Sequence, residues 1–395
     1  MHRRTFLRTS LAAAAFLSLP ASAAHRPVDG RSVATVAFPE KRPLITYSDR
    51  PPLLETPRSF FSNIITPNDA FFVRWHSAKI PMTVDAETFT LKIGGAVDNV
   101  LLLTVNDLKH RYEAVEITAV LQCGGNSRSA FVPTTSGIQW GNGAMGCARW
   151  KGARLKDILR DALPNENARY ISFTGRDTPV FNRIPRLVRE LRLNELSDDI
   201  IVAYEMNGSS IPLLNGFPLR LVIPGLYSDS WIKMLDTVVV SEKPRGGYYM
   251  NTAYRVPDNA CECERPDRHA EKTKPIARMN VKSLIGAPLN GFRTKKGVAL
   301  DIAGVAFDGG SGIAKVDVSV DGGKSWKAAR LEPALSLYAF RKFTFRFVPQ
   351  RKGPLVVMAR AFNRLGEAQP FPEAIRWNHG GYKYNGIDAV AGDVV

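Results

Sequence analysis

From Val316 onward the chain alternates apolar and polar residues with a period of two. That pattern excludes an amphipathic helix, whose apolar face recurs every three or four residues. Val316, Val318 and Val320 are separated by Asp317 and Ser319, and the run ends at the turn Asp321-Gly322-Gly323 before Trp326. Phe343, Phe345 and Phe347 repeat the alternation, and Leu355 to Phe362 forms another such run. Short alternating strands between glycine turns predict an immunoglobulin-like β-sandwich over residues 276–395.

The composition changes at about Pro275. Before it, over 61–275, apolar β-branched runs alternate with short helical patterns, without the regular βαβ beat of a doubly wound sheet. Val115 to Leu121 predicts one buried strand and Leu219 to Ile223 another, while Trp150 to Leu163 predicts a helix begun through a turn. This is an α+β pattern. The proline-rich stretch 24–60 has no clear periodicity and predicts an extended segment wrapped on the surface. A length of 395 residues exceeds what one hydrophobic core usually supports, in agreement with two domains.

Residues 1–23 read as a targeting segment. Arg3-Arg4-Thr5-Phe6-Leu7 precedes the apolar run Leu11 to Leu19, and Ala21-Ser22-Ala23 offers a small-residue cleavage site. The apolar run is too short to span a bilayer, and the paired arginines resemble a twin-arginine export signal, which predicts a periplasmic protein. Arg3, Arg4 and Arg8 supply three of the +16 net charges, so +13 remains on the rest of the chain. No nucleic-acid module and no dense basic tract with interleaved aromatics occurs, so the charge predicts a basic surface or an anion pocket rather than nucleic-acid binding. No second long apolar stretch predicts a membrane span. Cys261 and Cys263 are separated by one residue, an awkward geometry for bonding to each other. Cys147 reads as a small buried filler, and no C-x-x-C-H motif calls for covalent haem.

The segment richest in chemistry is Leu121-Gln122-Cys123-Gly124-Gly125-Asn126-Ser127-Arg128. A cysteine directly after a buried strand, followed by two glycines, sits where the backbone can approach a large ligand. Arg128 adds a permanent cation five residues on, able to lower a thiol pKa or bind an anion. Taken alone, Cys123 is a nucleophile, a soft metal ligand or a structural thiol.

Six further segments narrow that choice. Phe71-Phe72-Val73-Arg74-Trp75-His76, Trp150-Lys151-Gly152-Ala153-Arg154-Leu155 and Ala203-Tyr204-Glu205-Met206-Asn207-Gly208 occur in order. Asn215-Gly216-Phe217-Pro218-Leu219-Arg220, then Val222-Ile223-Pro224-Gly225 with Trp231-Ile232-Lys233, and Thr252-Ala253-Tyr254-Arg255 complete the set. Together with the cysteine segment they resemble the sulfite oxidase family of molybdenum enzymes, densely over about 55–265 and more weakly in the sandwich. The resemblance implies an α+β molybdopterin-binding domain over 61–275 followed by a dimerisation domain.

It also implies a site. Cys123 would supply the protein sulfur ligand to molybdenum, with Arg74, Arg128 and Tyr254 as catalytic residues around bound sulfite. His76 would contact the pterin or line the pocket, and Asp177 would accept from pterin N–H groups. Arg220, Ser228 and Lys233 would hold the molybdopterin phosphate. Two features depart from the family. Asn215 stands where vertebrate members have histidine, and a further C-terminal arginine has no evident counterpart here.

The function so implied is oxidation of sulfite to sulfate, with electrons passed to an external acceptor, a periplasmic cytochrome c. No haem is expected in this chain, since the residues before position 60 are too few for a haem domain. A homodimer is the expected assembly, with a permanent cytochrome complex as its competitor. A related molybdenum sulfur-compound dehydrogenase component or reductase is the alternative enzyme. A periplasmic binding module with a degenerate pocket is the alternative without catalysis.

Overall fold

The predicted strand Val115 to Leu121 is the middle of a longer one, Ala114–Gln122, whose last four residues are buried. The computed structural model describes residue 38 and residues 40–395, so the predicted export signal over 1–23 lies outside the described residues. Ala114–Gln122 pairs antiparallel along its length with Met145–Arg154, which pairs in turn with Ile201–Met206. Ser209–Ser210 and Arg220–Val222 both pair with Ile201–Met206.

Trp150 to Arg154 therefore belongs to a strand rather than to a helix start, a correction to the sequence expectation. The helix begins only at Leu155 and runs to Ala162. It buries Leu155, Ile158, Leu159 and Ala162, the spacing of one helical face. The strand assignment has a local cause at Gly152. A Cβ there would lie 2.1 Å from the Val202 carbonyl oxygen, so only glycine permits this closeness between the two strands.

A second sheet has the order Leu101–Thr104, Thr90–Gly95, Leu235–Ser241, Tyr170–Gly175, Val188–Arg192. Its pairs are antiparallel except the parallel one between Thr90–Gly95 and Leu235–Ser241. Leu91, Ile93, Ile171, Phe173, Val238 and Val240 share one core with the buried face of Leu155–Ala162.

The stretch predicted to lie extended on the surface is partly a hairpin. Ile45–Asp49 pairs with Pro52–Glu55, which pairs with Val73–Arg74. Leu53, Leu54 and Glu55 are buried. Glu55 tolerates burial because its carboxylate accepts from the backbone N–H of Gly141 and Gly143 and from the Tyr47 hydroxyl.

After residue 275 two sheets pack face to face. One has the order Lys282–Ala287, Leu300–Phe307, Arg341–Phe347, Arg330–Leu331; the other runs Phe292–Thr294, Asp388–Val394, Gly353–Asn363, Ile313–Ser319, Lys327–Ala328. Val316, Val318, Phe343 and Val357 meet in their shared core, which is the predicted immunoglobulin-like sandwich. The sandwich is not hung on a free linker. Phe61, Val120, Met145 and Cys147 form one core with Leu284, Val305 and Phe340, and the Arg58 guanidinium grips the Asp388 carboxylate through both nitrogens at 2.6 and 3.1 Å.

Cys261 and Cys263, expected not to pair, form a disulfide. Glu262 between them takes a left-handed φ of +49°, which folds the chain back and brings the two Cα atoms to 5.1 Å. That separation lies inside the range a disulfide needs.

Candidate functional site

Strand Ala114–Gln122 ends one residue before Cys123, whose N–H donates to the Ala144 carbonyl at 2.9 Å. The thiol is only 6% exposed, yet it lines a cleft together with Arg74, His76, Asn215, Arg220, Ser228, Lys233 and Tyr254. Eight of the ten residues singled out in the sequence thus converge, although they span positions 74 to 254. The cleft is built where short segments cross. Arg74 ends the strand Val73–Arg74, Arg220 begins Arg220–Val222, and Ser228 starts a single 3-10 turn.

Tyr254 and His76 form a pair. The Tyr254 hydroxyl and His76 Nε2 share a short hydrogen bond, with the rings edge to face. Burial, with Arg74, Lys233 and Arg189 nearby, holds the His76 imidazole well below its ordinary pKa. Burial drives the Tyr254 phenol the other way, well above its own. The phenol therefore keeps its proton and donates to Nε2, which puts the neutral imidazole's proton on Nδ1. His76 Nδ1 is buried and has no hydrogen-bond partner among the described residues.

Both lining arginines carry a similar orphan. Arg74 Nη1 and Arg220 Nε are buried without an acceptor among the described residues. Arg220 is otherwise held by the Asn215 carbonyl at 2.6 Å and lies near the rings of Trp150 and Trp231. Burial lowers its pKa to about 9. Lys233 donates to the Arg74 carbonyl at 2.8 Å, and burial, with Arg220 beside it, lowers its pKa to about 7. Asn215 is satisfied within the chain, donating to the Phe72 carbonyl and accepting from Lys41 at 2.6 Å.

Two predicted residues lie outside the lining. Asp177 is buried near Lys233 and Gly175. Arg128 donates to the carbonyls of Ile138 and Gly380, both at 3.0 Å, and its guanidinium lies 5.2 Å from the centre of the Tyr382 ring. Tyr382 in turn packs 5.5 Å from Tyr254. The glycines after Cys123 serve this arrangement. A Cβ on Gly125 would come within 2.5 Å of Arg128 Nη2, and one on Gly124 within 2.5 Å of Ile276.

Sequence reasoning missed Asp229, Arg189 and Tyr382. Asp229 lines the cleft and pairs with Arg189 at 2.8 Å, both almost fully buried. Burial raises the Asp229 carboxyl to about 6 despite that partner. Arg189 also donates to the Tyr249 carbonyl. One signal was available: in Val188–Arg192 the inward position of an alternating strand is an arginine, and a charge placed inward needs a partner.

The donor set specifies what the cleft can hold. A single thiol stands among three cationic side chains, and the one lining carboxylate is already paired. Buried N–H groups with no acceptor are costly, so they fit a ligand that is anionic and rich in acceptors. A thiolate on such a ligand's soft metal would complete the set.

The family of the oxidoreductase molybdopterin binding domain matches residues 77–249, and that of the Mo-co oxidoreductase dimerisation domain matches 273–386. Mitochondrial sulfite oxidase of Homo sapiens is 32% identical over 344 residues, which are 84% of this chain and 62% of that protein. Sulfite oxidase of Gallus gallus is 31% identical over 348 residues, 84% of this chain and 74% of that protein. Among solved structures, the sulfane dehydrogenase SoxCD from Paracoccus pantotrophus superposes with a TM-score of 0.77 at 26% identity, covering 93% of this chain and 95% of that one.

Proposed function

The chain belongs to the sulfite oxidase family of molybdenum enzymes, and on that premise we propose that it oxidises sulfite to sulfate and passes the electrons to a cytochrome c. The observation that carries this reading is Arg74 Nη1, a buried cationic N–H without an acceptor in the same cleft as the Cys123 thiol.

The family's cofactor, molybdenum with molybdopterin, fits the residues present. Cys123 would hold the metal, Arg220, Ser228 and Lys233 the phosphate, and Asp177 the pterin N–H groups. When bound, the group supplies the two-electron redox change that the reaction needs.

The net change converts sulfite and water to sulfate, two protons and two electrons, so the site must hold an anion and release protons. Arg74 binds sulfite oxygens by charge-assisted hydrogen bonds. Burial strengthens that attraction, because little water is present to compete. With the Tyr254 phenol proton donated to His76 Nε2, the donor this pair presents to an oxyanion is the Nδ1–H of His76, oriented by Tyr254. Neither is a strong base at neutral pH, so their role is orientation and charge stabilisation. Arg128 acts through Tyr382, which it holds against Tyr254. Asp229 neutralises Arg189, which keeps the anion centred on Arg74.

Purified holoenzyme with sulfite and either ferricyanide or cytochrome c tests the reading. Full molybdenum loading without sulfite turnover would sink it. The likeness to a sulfane dehydrogenase over 93% of the chain favours a second reading, a dehydrogenase for another sulfur compound, and a sulfane-sulfur substrate in the same assay separates the two.

Export to the periplasm by the twin-arginine route is part of the proposal, supported by Arg3-Arg4 and by a disulfide, which persists in oxidising compartments. No described helix is long and apolar enough to cross a membrane. A homodimer built through the sandwich is supported by the match to the dimerisation domain. A monomeric mass in solution would overturn it.

A further inference from the structure

Away from the cleft, Glu264, His269 and His379 bring one carboxylate and two imidazoles together, with ligating atoms all within 4.8 Å of one another. The segments that supply them are far apart in sequence. Glu264 is nearly buried, accepting from the backbone of Ala270 and from both the backbone and Nδ1 of His379 at 2.9 Å. His269 Nδ1 lies 3.9 Å from the other carboxylate oxygen. His269 is 78% exposed at its side chain, yet its ring is stacked on His379 at 3.8 Å. An exposed histidine held in this way is already ordered for binding, which removes part of the entropic cost of taking a ligand.

We propose that Glu264, His269 and His379 bind a borderline divalent transition metal of the zinc class. Two imidazole nitrogens and one carboxylate oxygen are a common donor set for such an ion, with the fourth position left to water. Bonds of about 2.0–2.2 Å at tetrahedral angles set ligand atoms about 3.4 Å apart, so His269, now 3.9 Å from the carboxylate, must move in. The 2.9 Å Glu264–His379 contact must open, releasing the proton they share. The exposure of His269 leaves it free to move. The site opens on a cavity of about 400 Å³ whose other charged lining residues are Asp258, Arg265, Arg268, Glu271 and Lys272. Arg265 and Arg268 are paired with Asp267 and Glu271 respectively, so their charges are largely offset there.

The metal would fasten two segments that bear on the cleft. The Glu264 N–H already donates to the Trp377 carbonyl at 2.7 Å. The residue after His379, Gly380, accepts from Arg128, and Tyr382 packs on Tyr254. A bound ion therefore ties the loop 258–272 to the chain segment that forms the wall behind Tyr254.

The experiment is calorimetric titration with zinc chloride of untagged holoenzyme that retains its molybdenum and has been freed of loosely bound divalent ions by EDTA. One saturable site per chain is expected, weakened at least about tenfold in His269→Ala and in His379→Ala. His110→Ala, at an exposed position on the helix Val105–Arg111, is expected to bind like the parent. Zinc should also raise the thermal midpoint of the parent but not that of His269→Ala, whose exposed ring makes misfolding an unsuitable explanation. No saturable binding, or binding and midpoint shift retained in His269→Ala, overturns the proposal.

Discussion

Cys123, Arg74 and Tyr254 act at the scale of single atoms, and each yields a separable outcome. Replacing Cys123 by serine exchanges a soft thiolate for a hard hydroxyl. Molybdenum per chain is expected to fall about tenfold or more, read by elemental analysis, with sulfite turnover lost alongside. A fully loaded, active Cys123→Ser protein would remove the thiolate from the site. Arg74→Gln removes a cation whose Nη1 has no acceptor among the described residues, so its loss should be felt chiefly by bound anion. A hydrogen bond to a charged group is worth about 1.5–3 kcal/mol, which corresponds to about 10–150-fold in kcat/KM. Molybdenum content should stay near that of the parent. Steady-state kinetics beside metal analysis check this, and unchanged kcat/KM would exclude Arg74 from sulfite binding.

At the scale of elements, the strand pair Met145–Arg154 and Ile201–Met206 depends on a missing side chain. Gly152→Ala would push a Cβ to 2.1 Å from the Val202 carbonyl and 2.6 Å from the Ala203 Cα. Both are backbone atoms, so the strands must part. Overpacking of this kind costs about 1–3 kcal/mol, and the urea midpoint should drop accordingly. A midpoint equal to that of the parent would show that the sheet has slack there. Lys282, on the first strand of the sandwich, gives a pH test. It is buried, donating to Ser127 Oγ at 2.6 Å and to the Tyr384 carbonyl, and burial lowers its pKa from 10.5 to about 7. The folded state then binds fewer protons than the unfolded state between those two values. Its contribution to stability is fully present above pH 10.5 and is lost as pH falls towards 7. The slope is at most about 1.4 kcal/mol per pH unit. Urea midpoints measured from pH 7 to 9 should rise more steeply for the parent than for Lys282→Met; parallel curves would show that Lys282 titrates normally.

At the scale of the whole molecule, the sandwich and the preceding domain share a core that contains Phe61, Val120 and Cys147 on one side and Leu284, Val305 and Phe340 on the other. The C-terminal segment then returns to the cleft, with Tyr382 against Tyr254 and Gly380 on Arg128. Truncation near residue 275 would therefore strip both a core face and a wall of the site.

Period-two alternation at Val316, Val318 and Phe343 was legible in the sequence because a strand's inward face is fixed by local geometry. Seven ordered segments, through their resemblance to a known family, pointed to seven residues of the cleft, and Ser228, between two of those segments, was named with them. Local rules failed where a distant partner decided. Trp150 to Arg154 looked helical until the Val202 carbonyl made Gly152 part of a strand pair; the Cys261–Cys263 bond turned instead on a local conformation, the left-handed φ of Glu262 between them. The glycines after Cys123 looked like room for a ligand, and the tertiary structure gives that room to Arg128 and Ile276. Sequence determined which chemistry the chain carries, because residue type and short spacing are enough to specify a thiol, a cation or a strand. Only the tertiary structure decided who faces whom. Ion pairs such as Asp229–Arg189, 40 residues apart, form through packing that no local window contains.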